Sequence, residues 1–120
     1  MKRIKQFEIY QVNLEPRKGS EQVGKRPCVV LQTNAVGHIA QVFLVAPLTS
    51  KQLEKVYPYQ VLVNRSKSNG LKCDSKIKFE QLRIIDRVRI GKKLGQLEID
   101  YQPAVFQAID VMIDRFGDFR

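Results

Sequence analysis

The chain has 120 residues, which is enough for one domain with a hydrophobic core and too short for two comfortable ones. Its apolar runs are all shorter than the roughly 18 to 20 residues that cross a bilayer, and the basic N-terminus leads into no apolar signal core, so we expect a cytoplasmic protein without a membrane span. The net charge of +9, from 21 Lys and Arg against 12 Asp and Glu, favours a polyanionic partner, either nucleic acid or an acidic protein, over a merely soluble basic surface.

Residues that commonly build metal and acid–base sites are scarce. Cys28 lies in an apolar run and is expected to be a small buried hydrophobe, while Cys73 is far from it in sequence. We expect no disulfide in a reducing compartment. His38 is the single histidine, which argues against a zinc site and against a pair of histidines acting as acid and base. These residues therefore argue against a zinc site, and we expect no cofactor.

Short strands dominate the first hundred residues. Period-two alternation and β-branched apolar runs predict five or six strands, over 7–16, 27–34, 39–48, 59–64, 76–85 and the end of 86–97, with one helical turn before the last. Gly37 lies in a predicted hairpin connection that pairs the second strand with the third. Residues 49–57 are polar and show neither a strand nor a helix pattern. These features predict a strongly bent sheet or open barrel.

One helix is predicted at the C-terminus, from Asp100 to about Phe116. Asp100 is the predicted N-cap, Pro103 fits the first turn, and Gly117 ends the helix. Its apolar stripe is expected to belong to the core and not to a partner groove: Val105, Ile109, Met112 and Phe116, with Ala108 and Ile113 beside them. The predicted fold class is mainly β with a C-terminal helix, in a single domain over residues 1–120.

The stretch "GSEQVGKRPCVV", residues 19–30, partly matches a phosphate-binding P-loop. Gly19, Gly24 and Lys25 have the spacing of that motif, but Arg26 stands where a magnesium-binding Ser or Thr is needed. Pro27 then leads into a strand, whereas a P-loop leads into a helix whose N-terminus helps to hold the phosphates. The ATP-site interpretation fails. Arg26 at the start of a rigid strand could instead grip a phosphate, or pair with a local carboxylate.

The stretch "EIYQVNLEPRKGSEQVGKRPCVVLQTN" (8–34), followed by "VAPLTS" (45–50) and "EQLRIIDRVRIGKKLGQL" (80–97), resembles the MazF/PemK family of toxin endoribonucleases. The resemblance spans nearly the whole chain in the same order. It implies an SH3-like small barrel that forms a homodimer, and metal-independent, ribosome-independent cleavage of single-stranded RNA. It also implies an antitoxin of the MazE type, whose acidic C-terminal tail would account for part of the positive charge. Phe7 departs from the family pattern, because many relatives have Gly there.

Carried over by position, the resemblance makes Arg26 and Thr49 the central catalytic residues, with Lys78 and Glu80 as further catalytic candidates. Candidate RNA contacts come from the 15–25 loop and the 49–58 segment: Ser20, Glu21, Gln22, Lys25, Ser50 and Tyr57.

RNA carries its own nucleophile, the 2′-hydroxyl, so the enzyme needs only to align it, remove its proton, stabilise the phosphorane and help the 5′-oxygen to leave. Glu21 and Glu80 are the candidate general bases, and His38 is a weaker one. Two other functions stay open at this point: a toxin of the same fold that poisons DNA gyrase without cutting RNA, and a passive RNA-binding barrel.

Overall fold

The computed structural model describes residues 3–14, 24–36 and 40–120, and within them the chain is mainly β with a C-terminal helix, as predicted. The elements are β1 (Glu8–Asn13), β2 (Lys25–Val30), β3 (Val42–Thr49), β4 (Gln60–Val63), β5 (Ser75–Lys78), β6 (Arg83–Asp86), β7 (Ile90–Gln96) and α1 (Gln102–Met112). Single 3₁₀ turns occur at Asn34–Val36, Phe79–Gln81, Arg87–Arg89 and Ile99–Tyr101.

The strands form an antiparallel sheet in the order β4-β5-β3-β2-β1-β7, with β6 paired to β3 outside this path. The predicted pairing of the second and third strands is confirmed. β3 changes partner along its length: Val42 to Val45 pair with β6, and Leu48 and Thr49 pair with β5. Pro47 lies at the change and has no N–H to donate to a ladder. This switch bends the sheet into the expected barrel-like shape.

Two hydrophobic cores lie on opposite faces of the sheet. Val29 belongs to the first core, which Val105 and Ala108 of α1 cover. Cys28 and Val30, its neighbours in β2, belong to the second core. Because successive strand residues point to opposite faces, a strand between two cores must be apolar throughout, as the run around Cys28 is. Cys28 is fully buried and unpaired, which confirms its predicted role as a buried hydrophobe.

The prediction of one strand over 76–85 is wrong. β5 ends at Lys78, a 3₁₀ turn follows, and β6 begins at Arg83, which gives seven strands within the described residues. The turn is needed because β5 and β6 pair with different halves of β3. Phe79 anchors it, fully buried in the first core. The predicted hairpin connection near Gly37 lies partly outside the described residues, and Asn34–Val36 before it forms a 3₁₀ turn.

The helix is shorter than predicted and its apolar stripe is only half buried. α1 begins at Gln102 after a 3₁₀ turn, and Pro103 lies in its first turn as predicted. The N-cap position is occupied by Tyr101, whose side chain makes no capping hydrogen bond, so the prediction of Asp100 as the N-cap is wrong. Val105 and Ala108 are buried, but the end of the stripe is not core, since Met112, Ile113 and Phe116 are 39%, 64% and 76% exposed. The helix packs against β4 and the 3₁₀ turn at Phe79, and it ends at Met112. The apolar side chains near and beyond its end therefore do not pack on the sheet. Among the described residues, no helix has the length and apolar character that a membrane span requires.

Candidate functional site

Strand register brings the main candidate residues into two adjacent rows across the sheet. Thr49, the last residue of β3, pairs with Lys76 of β5, and Lys78 pairs with Gln60 of β4. On the other side of β3, Cys28 pairs with Pro47, and continuing this register by two residues sets Arg26 opposite Thr49. Arg26, Thr49 and Lys76 therefore form one row across β2, β3 and β5, and Lys78 and Gln60 form the next row across β5 and β4.

Both rows lie on the face of the sheet that carries the second core. Cys28 and Val45 belong to that core, and period-two alternation puts Arg26 and Thr49 on the same face. Leu48 and Ile77 point to the opposite face, into the first core. The candidate site is thus the polar end of the sheet face that carries the second core. Its strands are held in place by residues such as Leu48 and Ile77, which pack into the first core on the opposite face.

A cavity of about 350 Å³ opens at this place. It is lined by Arg26, Thr49, Lys51, Gln52, Tyr57, Gln60, Lys76, Lys78 and Glu80. Four of these side chains are cations (Arg26, Lys51, Lys76 and Lys78), and Glu80 is the one carboxylate among them. Such a concentration of positive charge suits an anionic ligand, and Arg and Lys are the usual phosphate-binding side chains.

The Thr49 hydroxyl is buried in the wall and oriented by the following loop. Thr49 is 7% exposed, and its Oγ1 accepts a hydrogen bond of 3.2 Å from the backbone N–H of Lys51. A hydroxyl that accepts one bond keeps its own hydrogen for donation. Thr49 can therefore donate to an oxygen of a ligand in the cavity.

Gln60 joins the two walls of the cavity. Its Nε2 donates to Oε2 of Glu80 over 2.7 Å, and its Oε1 accepts from the backbone N–H of Tyr57 over 3.1 Å. Gln60 is itself buried, with 7% exposure. Glu80, on the 3₁₀ turn after β5, is thereby tied to the loop that carries Tyr57.

Lys76 is the least expected member of the site. Its side chain is buried, with 3% exposure for the residue, and its Nζ donates to the carbonyl oxygens of Gln52 at 2.9 Å and Lys55 at 2.7 Å. These bonds fix the loop between β3 and β4. Gln52 also has a left-handed backbone, with φ of 55°, which is uncommon for a residue other than Gly.

The same loop presents aromatic rings beside the cavity. Tyr57 and Tyr59 are stacked, with ring centroids 5.4 Å apart and planes 2° from parallel. The ammonium of Lys55 lies 5.0 Å from the centroid of the Tyr57 ring. A hydrogen bond with Tyr57 raises the pKa of Lys55 above its ordinary value, which favours the charged form of this side chain.

Not every predicted site residue lies in this cavity. The structure brings together Arg26, Thr49, Lys78, Glu80 and Tyr57, whereas Ser20, Glu21, Gln22 and His38 lie outside the described residues.

Two further candidates lie beside the cavity without lining it. Lys25 is exposed at the start of β2, next to Arg26, and belongs to the lining of neither cavity described here. Ser50 lines a second cavity of about 220 Å³, which also includes Arg26, Pro27 and Cys73.

Sequence reasoning missed Lys51, Gln52, Gln60 and Lys76. For Lys76 a signal was present, since it alternates with the apolar Ile77 as Lys78 does. That pattern predicts the side chain on the polar face, but it does not predict that a loop covers it.

The fold and site define a small β-barrel with a cationic cavity at one end of its sheet. Residues 5–113 match the PemK-like, MazF-like toxin family of type II toxin–antitoxin systems. Endoribonuclease MazF9 of Mycobacterium tuberculosis is 33% identical over 92% of this chain and 97% of its own length. Endoribonuclease EndoA of Bacillus subtilis is 30% identical over 92% of this chain and 94% of its own length.

Solved structures show the same fold. MazF of Deinococcus radiodurans superposes with a TM-score of 0.80 at 22% identity, covering 95% of this chain and 99% of that one. An endoribonuclease from a mycobacterial species, solved in complex with its cognate antitoxin, gives a TM-score of 0.76 at 14% identity, over 93% and 96% of the two chains. The chain belongs to the PemK/MazF family of toxins.

Proposed function

We propose that this chain is a toxin endoribonuclease that cuts single-stranded RNA at specific sequences, without a metal ion, to leave a 2′,3′-cyclic phosphate and a 5′-hydroxyl. Relatives with 33% and 30% identity over nearly their full length are endoribonucleases by name. The observation that carries the proposal is the alignment of Arg26 with Thr49 at one wall of a cavity that also holds Lys78 and Glu80.

In this proposal Arg26 and Thr49 hold the scissile phosphate. The guanidinium of Arg26 neutralises charge on the non-bridging oxygens, and the Thr49 hydroxyl donates to one of them. Charge on these oxygens grows as the phosphorane forms, so both groups bind the transition state more tightly than the substrate. Loss of one such donor typically lowers the rate by about two to three orders of magnitude.

Proton transfer is assigned to the other wall. Glu80 takes the proton from the 2′-hydroxyl as that oxygen bonds to phosphorus, and the bond to the 5′-oxygen breaks. Gln60 orients the Glu80 carboxylate through the 2.7 Å hydrogen bond. Lys78 supplies positive charge and a proton to the departing 5′-oxygen. Glu21, the alternative base, is in the segment outside the described residues.

The proposed partners follow from charge and from the relatives. Complexes of structural neighbours with antitoxins support an antitoxin partner for this chain. In the proposal the acidic C-terminal tail of that antitoxin lies over the cationic cavity and blocks RNA. We also propose that the chain is one domain over 1–120, acts as a homodimer, and works in the cytoplasm. The exposed apolar side chains Met112, Ile113 and Phe116 support a protein contact at the end of α1.

The test is a digest of a defined long RNA by the purified protein in EDTA, with the new 5′ ends mapped. The proposal predicts cuts at a short recurrent sequence, and predicts that Arg26→Ala abolishes them while leaving the circular dichroism spectrum unchanged. Lys67→Ala, which removes an exposed cation that lines neither cavity, is the control and should still cut at the same sites. Cleavage only with added Mg²⁺, or an active Arg26→Ala variant, would contradict the mechanism; a gyrase poison would tolerate Arg26→Ala and leave the RNA intact.

A further inference from the structure

Lys76 carries a buried positive charge that the proposed chemistry does not use. The residue is 3% exposed, and an ammonium group has three N–H donors. Two of them bond to the carbonyl oxygens of Gln52 and Lys55. A third donor therefore remains, on a side chain that lines the cavity.

Within the described ranges, no carboxylate lies within 4.0 Å of the Lys76 ammonium. A buried charge is costly unless it is paired, and carbonyl oxygens compensate it only in part. The repulsion from Arg26, Lys51 and Lys78 in the same cavity adds to the cost. An anion entering the cavity would supply the missing opposite charge.

Position in the sheet indicates which anion this is. Lys76 pairs directly with Thr49, and Arg26 lies on the far side of Thr49, so β3 separates the two cations. Neighbouring strands are about 4.8 Å apart, which sets the two backbones about 10 Å from each other. A phosphodiester held at Thr49 would thus have a cation on each side.

We propose that Lys76 is a phosphate-binding residue, whose third N–H donates to a phosphate oxygen of the bound RNA at the wall opposite Arg26. The two carbonyl bonds orient the ammonium, so one side chain both fixes the loop and binds the substrate. This inference rests on the proposed function, because it takes RNA as the ligand.

Salt dependence of binding separates a phosphate contact from a loop support. Binding is measured by fluorescence anisotropy over a series of KCl concentrations. The probe is a labelled RNA oligonucleotide that contains the mapped cleavage sequence, with a single 2′-deoxy substitution at the scissile nucleotide so that it is not cut. Each phosphate contact contributes about 0.7 to the slope of log affinity against log salt for a single strand.

Lys76→Gln should bind more weakly and lower this slope by about 0.7. Lys67→Gln is the matched control, since it removes the same charge from an exposed residue that lines neither cavity, and its slope should equal that of the unmodified protein. A Lys76→Gln variant that folds and keeps the full slope would overturn the inference, whatever its stability. A role in loop support alone would change the free energy of unfolding and leave the slope as it was.

A second measurement applies if Lys76→Gln does not fold. In a crystal structure of the unmodified protein with the same oligonucleotide, Lys76 Nζ should lie within about 3.2 Å of a phosphate oxygen. A structure in which every phosphate is beyond hydrogen-bond distance of Nζ would contradict the proposal. Cleavage of the all-ribose oligonucleotide is measured in parallel. If that oligonucleotide is not cut, the proposed function is overturned. If it is cut but the crystal structure shows no contact between Lys76 and a phosphate, only this inference is overturned.

Discussion

Replacing Gln60 by Glu converts the central hydrogen bond of the site into a contact between two carboxylates. The substitution keeps the size of the side chain and the oxygen that accepts from Tyr57, but it puts an oxygen where Nε2 now donates to Glu80 over 2.7 Å. At a separation of about 4 Å, two like charges repel by about 1 kcal/mol in water and by about 4 kcal/mol near a protein surface.

Protonation limits this penalty. A carboxyl with an ordinary pKa of about 4.3 needs about 4 kcal/mol to stay protonated at pH 7, and only about 1 kcal/mol at pH 5. In the variant, one carboxyl of the pair therefore has a pKa raised above its value in the unfolded chain. The variant consequently loses unfolding free energy as the pH rises. We expect Gln60→Glu to lower the free energy of unfolding by about 2 to 4 kcal/mol at pH 7 and by about 1 kcal/mol at pH 5.

Urea unfolding of the variant and the unmodified protein at both pH values measures this difference. Gln107→Glu is the control, because it makes the same change on an exposed position of α1 and should cost less than about 0.5 kcal/mol at either pH. RNA cleavage at pH 7 should fall as well, since Glu80 loses the donor that orients it. A loss of stability for Gln60→Glu that is equal at the two pH values would refute the assigned contact between Gln60 and Glu80.

Two further predictions concern the scaffold. Burial alone would raise the pKa of Glu8, but hydrogen bonds from Lys93, the Lys5 backbone and Tyr10 lower it overall. Lys93→Met should therefore cost about 1 kcal/mol of unfolding free energy at neutral pH, and progressively less as the pH falls and Glu8 becomes protonated. Urea titrations at several pH values check this. Gly70→Ala should cost several times more than Gly24→Ala in the same assay. Both have left-handed backbones, but a Cβ at position 70 would overlap the backbone oxygen of Leu94. At position 24, none of the described atoms outside the immediate neighbours lies within 4 Å of such a Cβ. Equal costs would show that the close backbone approach at Gly70 is wrong.

The resemblance gave the correct fold class, and the departure from its pattern at Phe7, just before β1, has a structural reason. Phe7 has φ of 70°, a conformation that Gly adopts without strain and that other residues seldom adopt. Here the ring is buried in the first core and contacts Phe106 edge-on, with centroids 5.9 Å apart. Burial of an aromatic ring offsets a backbone cost of about 1 to 2 kcal/mol.

Local patterns failed where tertiary contacts decide the outcome. The alternation over 76–85 is real, but it does not reveal that β3 needs separate partners for its two halves. The apolar stripe of α1 predicts a buried face, yet burial also depends on how far the sheet beneath it extends. For that reason Met112 is exposed although Val105, two turns earlier on the same stripe, is buried.

The site was predictable to the extent that motifs mark it. Arg26 and Thr49 lie in recognisable segments, and register then brings them together. Gln60 and Lys76 belong to ordinary strand patterns, and their roles come from hydrogen bonds to a loop and to a turn that are remote in sequence. No periodicity encodes such contacts, so only the three-dimensional arrangement identifies them.

The identity of the nucleophile is the most direct test of the mechanism. Two oligonucleotides with the mapped cleavage sequence are incubated with the purified protein in EDTA, one all-ribose and one with a single 2′-deoxy nucleotide at the scissile position. The ribose form should be cut to a 2′,3′-cyclic phosphate and a 5′-hydroxyl, identified by mass spectrometry, and the deoxy form should remain intact. Cleavage of the deoxy form at the same bond would show that the 2′-hydroxyl is not the nucleophile and would contradict the roles given to Arg26, Thr49 and Glu80.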